Sequence, residues 1–307
     1  MPSLAIIPAS LVRTSKSALL AAVVLSVTLA AQVADAGDDA SKVYWQAHRG
    51  GGAHEAPDNT IGAAMYTWGL GGIPEFDIRT TKDGVVICLH DATMARTTNA
   101  PASISGTKIN KLAFDEIRRW DAGVRFSEDF KGEIVPTLEE VFQKMQEDKQ
   151  RLVYLDLKDV DLAKLGKLID QYSVNEQILI ASPRQSDCKT LKQITEGLRT
   201  MIWIGGTAQE IKDKFEIVVA SNFDGVDQVQ LHLHDQEQAG DFRYQIEREY
   251  LADALAKTQA AEIDLEVFPF QFDNESIAEL MAIGIRWYAT DEPKRFTAAV
   301  NKASAKR

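Results

Sequence analysis

The sequence predicts an α/β protein, a (β/α)8 TIM barrel with a small insertion after its second barrel strand. Three observations lead there. Nine short β-rich runs recur along the chain, amphipathic stretches separate most of them, and one pair of runs is joined too tightly for a crossover helix. Strands alternating with helices indicate βα units and a parallel sheet.

The first run begins near Gln46 (QAH), followed by the loop AHRGGGAHEAPDNT, Ala47 to Thr60. Three consecutive glycines allow backbone conformations closed to other residues, which fits close approach to a ligand. A helix is expected from Asn59 or Thr60, with its positive end toward that ligand. The second run starts at Ile73 (IPEFDI) and the third at Val85 (VVICLH). Between them Asp83-Gly84 is a hairpin signal, so these two runs are antiparallel. With the turn centred on that pair, His90 falls directly opposite Asp77, where cross-strand Cβ atoms are about 5 Å apart.

Residues from about 91 to 150 form the insertion. Its first part (ARTTNAPASISGTKIN) is loop-like, and Thr137 and Glu140 have capping-box spacing for the helix LEEVFQKMQ. The remaining runs start near Leu152 (LVYLDL), Gln177 (QILIAS), Thr200 (TMIWIGG), Gly225 (GVDQVQLHL), Ile263 (IDLEVF) and Ile285 (IRWYAT). Setting aside the hairpin strand leaves eight parallel runs, the count of this barrel. The tail KASAKR is expected to fray.

Residues 1–36 are expected to be a signal peptide. Arg13 and Lys16 precede the apolar run ALLAAVVLSVTLAA, and Ala34-Asp35-Ala36 follows as a small-residue cut site. The run is shorter than the roughly 20 residues of a spanning helix, and no cysteine stands at the cut to carry a lipid. The chain is therefore expected to be exported, periplasmic or secreted, with residues 37–307 as the barrel and no stable membrane anchor after cleavage. With 34 Lys and Arg against 45 Asp and Glu, net charge −11, nucleic acid is excluded as a general partner. Two cysteines, Cys88 and Cys188, make no disulfide framework, and Cys88 reads as a small buried hydrophobe.

In such barrels chemistry gathers at the C-terminal strand ends, and the polar residues fall there. His48 and Arg49 close the first run. Glu75 and Asp77 point to one face of the second, and Asp156 and Lys158 repeat that spacing on the fourth. Three clustered carboxylates call for a cation, and oxygen-only ligation suits Mg²⁺ or Ca²⁺. The ion with Arg49 and Lys158 makes a phosphate site, and His48 and His90 supply a general acid and base. A plain ion-pair network is the bland alternative. Four strand ends converging on one rim favour the site.

The stretches AHRG with APDNT, EFDIRTTKDGVVICLHDATMARTT, IVPTLEEVF, LVYLDLK and GIRWYATDEP resemble the glycerophosphodiester phosphodiesterases over most of residues 46 to 293. The resemblance implies a metal-dependent barrel with His48 and His90 as acid/base pair and Arg49 and Lys158 on the phosphate. Glu75, Asp77 and Asp156 would hold the metal. It implies a small-molecule phosphodiester substrate, released as glycerol 3-phosphate and an alcohol, with attack starting from the substrate's own 2-hydroxyl. Three features depart from the family pattern: Asp156 where glutamate is common, Asp58 for glutamate, and VFPFQF (Val267 to Phe272) near the seventh barrel strand in place of a tryptophan-threonine motif. That last region lines the glycerol pocket in relatives. Two rivals remain, a phospholipase D-type enzyme on lysophospholipid or sphingomyelin and a non-catalytic phosphoglycerol-binding barrel. His54 reads as a solvated loop residue and His232 and His234 as structural or pocket-lining. Trp203, Phe270 and Tyr288 are candidates for a pocket wall or plain core.

Overall fold

The computed structural model describes residues 42–237 and 240–305; the expected signal peptide lies outside them. The strands are β1 (Tyr44–Ala47), β2 (Ile73–Thr80), β3 (Val86–Cys88), β4 (Val153–Asp159), β5 (Ile178–Ser182), β6 (Arg199–Ile204), β7 (Gln228–Leu233), β8 (Asp264–Pro269) and β9 (Trp287–Thr290). Each corresponds to one of the nine runs. β1 pairs in parallel with both β2 and β9, which closes a barrel of eight parallel strands, while β3 pairs antiparallel with β2 outside that ring.

The helices are α1 (Ile61–Gly69), α2 (Ala102–Ser105), α3 (Phe114–Arg118), α4 (Leu138–Gln146), α5 (Leu162–Tyr172), α6 (Gln185–Ile194), α7 (Ala208–Ala220), α8 (Arg248–Ala260), α9 (Asn274–Ile283) and α10 (Pro293–Ser304). α4 shows why they form. Thr137 Oγ1 accepts from Glu140 N and Glu140 Oε2 from Thr137 N, so the capping box is real. Leu138, Val141, Phe142 and Met145, spaced i, i+3, i+4 and i+7, put one apolar stripe against Phe76, Leu155 and Leu157. Each such side chain contributes about 1.5–3 kcal/mol on burial.

α4 thus belongs to the outer layer of the barrel. The segment before it builds a small apolar cluster of its own, from Met94, Ile109, Leu112, Ile117 and Val135 packed on Ile87 and Leu89. At the other end, the tail expected to fray is helical to Ser304, because Ala303 is buried in the main core.

The hairpin register departs from expectation by one residue. Thr81 N donates to Val85 O (2.9 Å) and Gly84 N to Thr81 O (3.0 Å), so the loop has three residues, with Gly84 left-handed at φ +87°. Cys88 then faces Ile78, and Leu89 N, not His90, bonds to Asp77 O at 2.8 Å. His90 lies one residue past that partner, and the Arg79 guanidinium grips its carbonyl oxygen at 2.6 and 3.0 Å.

Candidate active site

Asp77 on β2 and Asp156 on β4 are direct register partners, and Glu75 lies two residues before Asp77 on the same face. This places one carboxylate oxygen from each of Glu75, Asp77 and Asp156 within 4.8 Å of the others. Among the described residues it is the group whose donors converge closely enough to share an ion. All three are buried, Asp77 completely.

Their surroundings are incomplete in a telling way. Glu75 Oε2 accepts from Arg49 N (2.7 Å), but the buried Oε1 has no hydrogen-bond partner. Asp77 Oδ2 accepts from Asn59 Nδ2 (2.9 Å); its Oδ1 is within ion-pair reach of Lys158 Nζ (3.1 Å) yet receives no aligned hydrogen bond. Asp156 accepts from Lys158 Nζ (2.5 Å) and Trp203 Nε1 (3.1 Å). Burial, then Asp77 and Asp156, push the Glu75 carboxyl well above its ordinary range. Burial also raises Asp156, against the pull of Lys158. Burial acts on Asp77 too, but Lys158, His90 and His48 outweigh it and hold that carboxyl down. Lys158, facing both aspartates, is raised. Orphaned buried oxygens on an all-carboxylate donor set fit a hard divalent cation.

His48, His90, Glu75, Asp156 and Lys158 line one cavity of about 170 Å³. Both imidazoles are oriented by aspartates: His48 Nδ1 lies 2.8 Å from Asp291 Oδ1, and His90 Nδ1 lies 2.7 Å from Asp91 Oδ1. With Nδ1–H donated to a carboxylate, each ring turns Nε2 outward for proton transfer. Burial lowers the His90 pKa despite Asp77 and Asp91. Asp91, although burial opposes it, is held down to about 2 by Arg96 and His90. Arg96 also pairs with Asp58 (2.7 Å), which in turn holds Arg49 Nη1 (3.1 Å). Arg49 itself is left-handed at φ 57°, a strain of about 1–2 kcal/mol that brings its amide onto Glu75.

The structure brings His48, Arg49, Glu75, Asp77, His90, Asp156 and Lys158 together, and beside them stand residues that sequence reasoning missed, the ones that orient these side chains. Asp91 and Asp291 stood in quoted motifs without a role. Asn59, expected at the start of a helix, instead clamps Asp77 through its amide nitrogen and by accepting from Asp77 N at 2.8 Å. Thr60 is the cap of α1, and the amides of Ala63 and Gly62 are taken by Thr60 Oγ1 and Glu133, so that helix end is largely occupied by protein. Of the three aromatics that could be pocket wall or core, Trp203 and Phe270 line the cavity, stacked on His232 and His234 respectively, and Tyr288 is plain core. His54 is exposed, and Cys88 and Cys188 are buried free thiols.

Protein packing by itself requires glycine at two positions of the loop. A Cβ on Gly52, at φ +70°, would stand 2.3 Å from Pro293 Cδ and 2.6 Å from Asp291 O, and one on Gly51 would stand 2.4 Å from Ala56 Cβ. The loop is pressed against the turn that carries Asp291. Gly52→Ala is expected to cost about 2–4 kcal/mol of stability and to lower kcat by displacing Asp291 from His48. Thermal unfolding and steady-state rates check this, and unchanged values in both would remove the packing requirement.

Residues 48–295 match the glycerophosphoryl diester phosphodiesterase family. A glycerophosphodiester phosphodiesterase of Caldanaerobacter subterraneus is 35% identical over 161 residues, 50% of this chain and 63% of that protein. Human glycerophosphodiester phosphodiesterase 1 is 39% identical over 98 residues, 31% of this chain and 28% of that one. The chain thus spans less than two thirds of the length of these relatives. Among solved structures, a glycerophosphodiester phosphodiesterase from Agrobacterium tumefaciens superposes with TM-score 0.66 at 22% identity, covering 83% of this chain and 99% of its own. A phosphodiesterase from Oleispira antarctica, in complex with the product sn-glycerol-3-phosphate, gives 0.65 at 18% identity over 84% and 96%. The barrel is therefore shared with these structures, and by the match across residues 48–295 the chain belongs to the glycerophosphoryl diester phosphodiesterase family.

Proposed function

We propose that the protein is an exported, metal-dependent phosphodiesterase that hydrolyses glycerophosphodiesters to glycerol 3-phosphate and an alcohol. The observation that carries this reading is the buried Glu75, Asp77 and Asp156 cluster in one cavity with two imidazoles, each held by its own aspartate. The product complex of the Oleispira protein supports the same reaction.

Glu75, Asp77 and Asp156 would hold Mg²⁺ or Ca²⁺, which when bound offsets negative charge on the phosphate oxygens. Lys158 and Arg49 add positive charge beside the phosphate. One imidazole Nε2 takes the proton of the attacking 2-hydroxyl as its oxygen bonds to phosphorus. The other delivers a proton to the departing alcohol oxygen as that P–O bond breaks. Water then opens the cyclic phosphate with the proton transfers reversed, which restores both rings.

Product analysis on glycerophosphodiesters with different alcohols, beside a lysophospholipid and sphingomyelin, tests the substrate class. Turnover of lipid alone would overturn the reading in favour of the phospholipase D-type rival, and no turnover of either would favour the non-catalytic barrel. Chelation is expected to abolish activity. Metal uptake is expected to release protons and to weaken as pH falls, because the raised Glu75 and Asp156 carboxyls must ionise before they ligate. Calorimetry in buffers of different ionisation enthalpy reads that release, and uptake without it would sink the carboxylate site. Export is tested by the N-terminal sequence of protein recovered outside the cytoplasm, expected near Gly37.

A further inference from the structure

The interior of such a barrel is ordinarily filled by branched apolar side chains, yet here a carboxylate lies at its centre. Glu266 on β8 is fully buried, and its hydrogen-bond partners among the described residues, three glutamines and a tyrosine, are all neutral. Gln46 Nε2 and Gln230 Nε2 both donate to Oε1; Gln228 Nε2 (3.4 Å) donates to Oε2, and the Tyr154 hydroxyl shares its one proton between Gln228 Oε1 (2.8 Å) and Glu266 Oε2 (3.2 Å). Burial pushes this carboxyl up to about 7, so it is costly where it stands. No step of the reaction above uses it.

What the carboxylate enforces is orientation. Gln46 and Gln230 both turn their NH₂ groups toward Glu266, the arrangement its acceptor oxygens favour, and their carbonyl oxygens elsewhere. Gln46 and Gln230 both line the catalytic cavity, beside His48, Glu75 and Asp156. The Gln230 carbonyl lies 3.1 Å from His232 Nε2 and so takes its N–H. That fixes the ring stacked at 5.4 Å on Trp203, the residue that donates to Asp156. Among the described residues no side chain donates to the Gln46 carbonyl, and Gln46 lines the cavity, which leaves that oxygen as an acceptor for a ligand.

Resting on the phosphodiesterase reading, we propose that Glu266 is a positioning residue which, by anchoring Gln46 and Gln230, presents an acceptor floor selecting hydroxylated organophosphates, the polyol end of the substrate. An apolar layer in its place would bind an alkyl phosphate equally well. Buried acceptors discriminate because an analogue without hydroxyls leaves them unpaired.

The test compares dissociation constants of glycerol 3-phosphate and propyl phosphate by calorimetry on the metal-loaded protein. Wild type is expected to prefer glycerol 3-phosphate by at least about tenfold. In E266Q the amide cannot accept from all four neighbours, so one glutamine turns over. Q46M removes the carbonyl acceptor at nearly constant volume. In each folded variant the preference is expected to fall to within about threefold, with propyl phosphate binding unchanged. A preference kept in either folded variant overturns the proposal, as does equal loss of both ligands, which would mark a purely structural role. Should E266Q fail to fold, Q46M decides alone. Because binding is read, the result stands apart from turnover: glycerophosphodiester left intact by wild type would defeat the phosphodiesterase reading and leave the preference measurable.

Discussion

Alanine at His48 or at His90 is expected to lower kcat by about 10²–10⁴-fold with the fold intact. Both rings are partly open to the cavity, so their removal costs little packing. Among the described residues each ring is hydrogen-bonded through Nδ1, which leaves Nε2 for the substrate. The double variant should be little worse than the worse single one, since in the proposed mechanism acid and base serve the same displacement and such effects are not additive. Asp91→Asn and Asp291→Asn should lose less, because the ring remains but its tautomer is no longer fixed. Rates at saturating substrate, with circular dichroism to verify folding, check the set. Near-normal turnover in either alanine variant would remove that histidine from the chemistry.

The second large effect has opposite signs in two conditions. Glu75→Gln is expected to abolish metal-dependent activity and yet to stabilise the metal-free protein by about 1–2 kcal/mol, an upward shift of about 2–5 °C. Folding raises the Glu75 carboxyl above its ordinary value of 4.5. The native state therefore holds that proton more tightly than the unfolded chain, and stability falls as pH rises from there through the folded value. Glutamine removes this penalty. Its carbonyl can still accept from Arg49 N, and its NH₂ occupies the place of the orphaned Oε1, facing the oxygens of Asp77 and Asp156. Saturating cation should reverse the order, because only the carboxylate form gains binding energy. Melting in chelator and in excess ion reads both signs. A variant that melts lower in chelator would show that the cluster is not under strain.

The sequence was most informative where periodicity or spacing constrains geometry directly. Eight parallel strands followed from alternation of β-rich and amphipathic stretches. Glu75, Asp77, Asp156 and Lys158 followed from two-residue spacing, which fixes a face. The hairpin shows where such reasoning stops. A turn of two or three residues is decided by the left-handed Gly84, and that single residue moved His90 off the position facing Asp77. Asp291 escaped for another reason: no local pattern announces a contact across 243 positions. Glu266 was invisible because one acid within an apolar run reads as a strand residue like any other. The glycine loop announced a need for close approach but not its partner, since Pro293, which also requires room at Gly52, lies far along the sequence.

The seam between β1 and β9, with Gly52 wedged against Asp291, has a consequence for when the protein first acquires its chemistry. A nascent chain released from the ribosome short of β9 would already contain every proposed ion ligand and both imidazoles. It would lack the aspartate that steers His48, and its first strand would have no closing neighbour. Competence therefore arrives only once β9 and Asp291 have been translated, and a chain cut short before them has an open barrel and is inert, not merely slow.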